Sequence, residues 1–589
     1  MNNGVIRNMT LLATCMWFAS VGHAETDSIT LSFHTPHMTR IVTPGREGDV
    51  YLSIENPADT AGTARLLLTV EDYSGAKHES SRDMVLASSA SRRVPLPETT
   101  FERRGIKWVR AELTAQGRDA SLLTASFAYM TPAADVLRGR REDPNSMYFG
   151  IAYGASPDNI SDVAAQRVAA IGVNMLRANP YWHRAQPKAN VWDWQYTDEL
   201  VSTHGAYGIE LQPLVSGSAR WAVPIGPDGK RGGQNNAPKP EAWRLWIRNL
   251  ATHLKGKVRY WEIWNEPDIG FFSGTQEQYM EMLRIAYEEI KKVDPEMVCM
   301  TGGFVAMDHH GRKPYMIQRV LAECQDSFDA IAYHTHGYFN RFREEIDTRL
   351  LPYCNKALRK PKPLCFTETG MDTRRGQHFQ AETLPKKMVF AWSRGAVAYA
   401  WFNLHDMQRA EHDRQPGFTY GLFTKWKRKP DASGWGPDAI DYSVTWPKAA
   451  YVAYNTTATT LRGLRFREQA DLEGDKYVFV FEGDDRQALV AWLETSGNAS
   501  FHAIVSCEGE LRLVDLMGNE KPLARTEHRA VFEAGKTPVF IYSESEHPIT
   551  FEGVLVESVA PARVVPGEPT DLGACRRNRS SRSIFCWAE

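Results

Sequence analysis

Eight times between Tyr148 and Leu461 a short apolar run gives way to a segment with helical spacing. The runs cover residues 148–153, 174–179, 209–214, 258–263, 298–301, 329–333, 363–367 and 396–402. Helical spacing is clearest over 160–171, 241–254, 276–293 and 447–461. Buried strands alternating with amphipathic helices pair in parallel, with the helices outside, and eight such units close a ring. The expectation for residues 145–462 is therefore a (β/α)8 TIM barrel.

The flanks have a different rhythm. From 25 to 137, short alternating strands such as 50–56, 65–70, 106–113 and 122–130 are punctuated by Pro44-Gly45, Ser74-Gly75 and Gln116-Gly117. That pattern predicts an N-terminal β-sandwich. Strands return from 463 to 556, with a turn at Asp515 to Glu520, and predict a C-terminal β-sandwich. Residues 557–589 are polar, Pro-rich and then basic, and are expected to be weakly ordered. At the other end, Arg7, the apolar stretch Met9 to Val21 and Gly22-His23-Ala24 read as a cleaved export signal over 1–24. That places the mature chain outside the cytoplasm, secreted or periplasmic. No later segment is long and apolar enough for membrane insertion. The formal net charge of -2 gives no support to a nucleic-acid or anionic-membrane partner. Seven cysteines follow the signal; Cys299 and Cys365 read as buried apolar residues, and Cys575 with Cys586 as the best local disulfide pair.

Two strands end in glutamate. The run Val258 to Trp264 stops at Asn265-Glu266-Pro267, where proline removes a ladder donor, and the run Pro363 to Thr367 stops at Glu368. Catalytic groups of such barrels sit at the carboxyl ends of the strands, so Glu266 and Glu368 are expected to form a carboxylate pair there. The bland alternative is a structural ion pair at each strand end. Arg177, at the end of strand two, is placed to hold Glu368 ionised through charge-assisted hydrogen bonds, or to make an ordinary barrel-mouth ion pair.

These residues carry a resemblance. The barrel resembles clan A of the retaining glycoside hydrolases, and within it family 39 and relatives. Trp264-Asn265-Glu266-Pro267 matches the clan's fourth-strand acid/base motif, and Phe366-Thr367-Glu368-Thr369-Gly370 its seventh-strand nucleophile motif. Trp192-Asp193-Trp194 with Asp198, Ser218 to Trp221, Asp515 to Asn519 and Thr537 to Ile541 agree as well, while the N-terminal sandwich lies outside the likeness. The resemblance implies an exported β-glycoside hydrolase acting on a poly- or oligosaccharide by double displacement, with no metal or organic cofactor. Glu368 would be the nucleophile, Glu266 the acid/base, and Asn265 the partner of the sugar 2-hydroxyl. The charge of Glu368 would keep a proton on Glu266 until the sugar is attached. Trp401, at the end of strand eight, would be the aromatic platform under the reacting sugar.

One motif departs. Where many clan members have His-x-Tyr on strand six, with the tyrosine touching the nucleophile, this chain has His334-Thr335-His336-Gly337-Tyr338. Either His336 replaces that donor or Tyr338 reaches in. Histidines at i and i+2 share a strand face, so His334 and His336 would also permit metal binding if a third ligand joined them. Trp182, Trp221 and Phe271-Phe272 are candidates for further subsites. The basic residues Arg374, Arg375, His378, His405, Arg409, His412 and Arg414 suit either an acidic sugar or a solvated loop. Two other functions stay open: a non-catalytic carbohydrate-binding protein on this scaffold, and a transglycosylase that remodels glycans.

Overall fold

The computed structural model describes residues 28–140, 143–153, 157–227, 229–307, 312–407, 418–430, 432 and 437–555. The export signal, Cys575 and Cys586, the basic tail, and Arg409, His412 and Arg414 lie outside the described residues.

The barrel strands are Tyr148–Ala152, Met175–Ala178, Glu210–Val215, Tyr260–Ile263, Val298–Met300, Ile331–His336, Leu364–Gly370 and Ala396–Phe402. Each pairs in parallel with its neighbour. Bridges from Met300 to Ala330 and from Phe304 to Tyr333 complete the ring between strands five and six. Small side chains fill the interior, among them Ala152, Ala330, Ala332, Cys365, Ala398 and Ala400. Alternate positions such as Phe149, Ile151, Tyr399 and Trp401 belong to the larger core shared with the helices. Helix Gln276–Val293 begins at a capping box, where Thr275 accepts from the Gln278 amide and the Gln278 side chain accepts from Thr275 in return.

Strands six and seven run three residues further than the apolar pattern predicts. Their pairing continues from His334 opposite Glu368 to His336 opposite Gly370, so Glu368 is a strand residue rather than the first of a loop. Strand four ends where its apolar run was placed to end, at Ile263, after which Trp264 and Glu266 take positive φ values of 80° and 42°. Glu266 therefore sits on a turn that leaves the strand, held by its amide to the Gly303 carbonyl at 3.1 Å.

Each flanking domain is a pair of sheets. The N-terminal domain stacks Thr30–His34, Tyr51–Asn56 and Ala90–Pro95 on a five-stranded sheet that includes Gly62–Asp72 and Gly105–Ala115. Leu52, Ile54, Leu66, Leu68, Val70 and Phe127 fill the space between them. The C-terminal domain, Arg465 to Val554, packs a six-stranded sheet on a four-stranded one. The five described cysteines are free and buried. Among the described residues no helix is long and apolar enough to cross a membrane.

Both flanks are seated on the barrel. Arg167, fully buried on barrel helix Asp162–Ala170, donates to the Met38 carbonyl of the N-terminal domain, to Thr445, and meets His405 at the end of strand eight at 2.7 Å. Arg40 reaches the Ser443 carbonyl and lies over Trp446, and Ser126 donates to the Pro447 carbonyl. The two sandwiches also touch, through Arg103 to Asp515 at 2.9 Å and the Arg104 amide to Asn519 at 2.8 Å.

Candidate active site

Strand four contributes a glutamate that the apolar run hides. Glu262 is fully buried and accepts two hydrogen bonds from Arg177, at 2.7 and 2.9 Å, and one from Gln212 at 3.0 Å. Burial alone would raise its pKa; the Arg177 charge and hydrogen bonds, with His334 behind them, bring it down to about 2. Arg177 is 2% exposed and serves the mouth as well. It donates to Glu368 Oε2 at 2.9 Å and to Asn265 Oδ1 at 2.7 Å. One guanidinium thus fixes strand four, the nucleophile candidate and the asparagine beside Glu266. With its carbonyl oxygen occupied, Asn265 has its amide NH2 left for a ligand.

His334 and His336, the two strand-six candidates for substrate or metal, are placed differently, and His334 does not reach the cleft. It is fully buried beneath the site, with Nδ1 at 3.0 Å from Glu266 Oε1 and Nε2 at 3.0 Å from Thr367 Oγ1. Burial and the Arg177 charge push its pKa down; hydrogen bonds to Glu262 and Glu266 and the Glu368 charge outweigh them and raise it to about 9. It is a positioning cation, and with both nitrogens engaged it cannot join His336 on a metal. The group whose donor atoms do converge is Glu266, His336 and Glu368, all within 4.8 Å of one another.

His336, on the same strand face, resolves the altered motif. Its Nε2 lies 3.3 Å from Glu368 Oε1, while Tyr338 caps the following helix and is exposed. His336 is thus the donor to Glu368. Burial would raise the Glu368 pKa; the His336 hydrogen bond and the charges of His334 and Arg177 prevail and hold the carboxyl well below the usual carboxylate range. The Glu368 side chain keeps 13% exposure and that of Glu266 10%, so both are reachable from the cleft.

Trp401 does not form the floor of the site. It is fully buried, belongs to the outer core, and its indole N–H donates to the Tyr420 carbonyl at 3.1 Å. Because side chains alternate along a strand, the residue that reaches the lumen side is the next one, Phe402, half-buried beside His336 with ring centroids 5.8 Å apart. Phe402 precedes a cis peptide to Asn403. Tyr420 completes this aromatic side, 5.1 Å from His336 and 6.1 Å from Phe402.

Of the subsite candidates, Trp182 and Phe272 are core residues; Trp182 stacks on Trp246 at 5.5 Å. Phe271 is 48% exposed and Trp221 half-buried. The described basic residues are engaged within the protein. Arg374 pairs with Asp372, Arg375 lies over Phe379, His378 stacks on Tyr73 of the N-terminal domain, and His405 meets Arg167.

Sequence reading missed Glu262, Gly303, Phe402 and Tyr420. Glu262 had a signal, a lone charge inside an apolar strand, and Gly302-Gly303 had one in two adjacent glycines. Tyr420 had none, since only folding brings its loop back to His336.

No protein-family model matches the chain. Over 76 residues it is 41% identical to a β-xylosidase of Caldicellulosiruptor saccharolyticus, a match covering 11% of this chain and 16% of that protein. The chain thus spans less than a fifth of the curated relative it matches. A solved structure of a family 39 glycoside hydrolase from Bacteroides cellulosilyticus WH2 superposes with a TM-score of 0.61 at 17% identity, covering 87% of this chain and 100% of that one. A family 30 endoxylanase from Clostridium papyrosolvens C71 gives a TM-score of 0.47 at 12% identity over 69% of this chain and 98% of its own. The family 39 structure shares the fold.

Proposed function

We propose that the chain is a retaining β-glycoside hydrolase, with Glu368 as nucleophile and Glu266 as acid/base. The observation that carries this reading is the approach of the two carboxylates, with oxygens within 4.8 Å. Retaining enzymes hold the pair roughly 5 Å apart, whereas inverting ones need roughly 6.5–9.5 Å to admit a water. The fold shared with a family 39 hydrolase and the short match to a β-xylosidase support the same class and make β-xylosides the first substrates to try.

The chemistry follows from the contacts. A Glu368 oxygen attacks the anomeric carbon as the glycosidic C–O bond breaks, and the proton of Glu266 passes to the leaving oxygen. Glu266 then takes a proton from water, whose oxygen displaces Glu368 and releases the sugar. Arg177 and His336 keep the nucleophile ionised for the first step. We further propose that the protein is exported after cleavage behind Ala24; a mature N-terminus at Glu25, read by peptide sequencing, is the expected result.

The test is a panel of aryl glycosides and polysaccharides, with products read by mass spectrometry and NMR. Wild type should release sugar with retained anomeric configuration, and Glu368→Gln should not turn over. Glu266→Ala should still form the covalent sugar adduct from an activated aryl glycoside, and added azide should then yield the β-glycosyl azide, because azide needs no base. Equal turnover by Glu368→Gln, or an inverted product, overturns the assignment. Sugar transferred to an added acceptor in preference to water would make the enzyme a transglycosylase.

A further inference from the structure

Barrel helix Gln377–Ser393 carries a lysine in an unusual place. Lys387 is fully buried, and its ammonium donates to three backbone carbonyls: Thr335 at 3.1 Å, Gly370 at 3.2 Å and Gly337 at 3.3 Å. Among the described residues no carboxylate lies within ion-pair distance of it; its other neighbour is the Phe342 ring at 4.8 Å. A buried charge without a counter-ion is expensive, typically several kcal/mol. Burial, aided by the nearby Arg341, accordingly pushes its pKa well below the lysine range. A methionine or leucine would fill the same space at lower cost, so the three acceptors identify what the lysine does.

Those acceptors are not scattered. Thr335 and Gly337 flank His336 on either side, and Gly370 lies two residues after Glu368 on the adjoining strand. The Gly337 amide also donates to the Gly370 carbonyl at 2.8 Å, and Gly337 makes this turn at φ 107°, a conformation that favours glycine. His336 has little else to orient it. Among the described residues its Nδ1 has no hydrogen-bond partner, so the usual second contact that fixes an imidazole is missing there, and the ring is held by packing against Gly370 and the edges of Tyr420 and Phe402. The direction of Nε2 toward Glu368 therefore depends on where the backbone of residues 335–337 is held.

We propose that Lys387 is a positioning residue for the nucleophile, acting through His336: by clamping the carbonyls on both sides of His336 to the end of strand seven, it aims the imidazole at Glu368. The inference rests on the hydrolase reading above and deepens it.

The experiment is a double-mutant cycle on the glycosylation step, read as the rate at which a 2-deoxy-2-fluoro glycoside of the sugar found active labels Glu368. Labelling of wild type at the Glu368 peptide, seen by mass spectrometry, comes first; no label there overturns the hydrolase reading itself. Lys387→Met keeps an unbranched side chain, one atom shorter, and removes the donors. It should slow labelling by about 10- to 100-fold with little change in the half-saturating inhibitor concentration, the mark of lost alignment rather than lost binding. His336→Phe should slow it as well, and Lys387→Met in the His336→Phe background should add almost nothing. Wild-type labelling by Lys387→Met, or losses that multiply in the double variant, would show that the lysine acts on the fold alone and overturn the proposal. If Lys387→Met does not fold, Lys387→Gln, which keeps a donor, replaces it in the same cycle and is judged by the same coupling.

Discussion

Gly303 backs directly onto His334: a Cβ built at residue 303 would overlap the imidazole Nε2 and come within 2.6 Å of Glu262 Oε1. The glycine after strand five is thus the space that lets a histidine of strand six pass under Glu266, on the turn that follows strand four. Gly303→Ala should force His334 away from Glu266. A displacement on the order of 1 Å beneath a reacting group can cost about 100-fold in rate. The expected result is a fall in kcat/KM of that order, in a protein whose circular dichroism is unchanged.

His336 sets the acid side of the rate profile. The acid limb of kcat/KM reports ionisation of the free enzyme's nucleophile. With the His336 hydrogen bond in place, Glu368 stays ionised to well below the usual carboxylate range. Wild-type kcat/KM should therefore hold into strongly acidic solution. His336→Phe removes a hydrogen bond to the carboxylate and leaves burial to act, so the Glu368 pKa rises and the acid limb moves to higher pH. A limb that stays in place would assign the depression to Arg177 and His334 alone.

The barrel was legible in the sequence because burial on both faces forces near-continuous apolar strands, as in Val298–Met300 and Ala396–Phe402. Glu266 and Glu368 were legible because each interrupts such a run. What stayed hidden depends on geometry that periodicity does not encode. Trp401 and Phe402 are both aromatic and adjacent, and which one faces the lumen is set by strand phase, known only once strands one and eight pair from Ala398 opposite Tyr148 to Phe402 opposite Ala152. Likewise, the turn that carries Glu266 was read from Pro267 alone, while the positive φ values that shape it, at Trp264 and Glu266, leave no mark in an apolar pattern.

The buried charges define a pH window for stability. Glu262 falls from an ordinary 4.5 to about 2 in the fold, so its contribution is present above about pH 4.5 and is lost as pH falls through 2. His334 rises from 6.5 to about 9, so its contribution is complete below pH 6.5 and is lost as pH rises through 9. Thermal unfolding should be highest between about pH 4.5 and 6.5 and decline on both sides. His334→Gln should lower Tm within the window and flatten the decline between pH 6.5 and 9. A profile of unchanged slope in that variant would show that His334 is not the group being titrated.

The N-terminal sandwich is a structural part of the barrel rather than a tethered module. Arg167 is buried against the Met38 carbonyl on one side and His405, at the end of strand eight, on the other. Removing residues 1–137 would strip partners from a fully buried guanidinium and expose the face held by Arg40 and Ser126. The truncated chain should be insoluble or melt far lower, and Arg167→Met in the full chain should lose at least ~2 kcal/mol, the scale of a broken buried polar network. A truncated chain that melts normally and cleaves small glycosides, but loses affinity for polymer, would instead make this domain a glycan-binding module.

Asn265 gives the sharpest prediction about substrate. Its Oδ1 accepts from Arg177 at 2.7 Å, and Arg177 also grips Glu368 and Glu262, so the amide is oriented by the same cation that fixes the Glu368 carboxylate. The remaining NH2 group, half-buried one residue before Glu266, is the donor available to a hydroxyl beside the anomeric carbon. In double displacement the bond to the 2-hydroxyl strengthens as positive charge develops on the sugar ring, so its loss should appear in kcat more than in KM. Asn265→Ala on the natural glycoside, and wild type on its 2-deoxy analogue, should each lose a few kcal/mol of transition-state stabilisation, on the order of 100-fold or more in rate after allowance for the intrinsic reactivity of the 2-deoxy compound. If the two groups form one contact, Asn265→Ala on the 2-deoxy analogue should lose little beyond wild type on the same compound. Losses that multiply would mean that Asn265 serves only to hold Arg177, and that the 2-hydroxyl is recognised by another residue of the cleft.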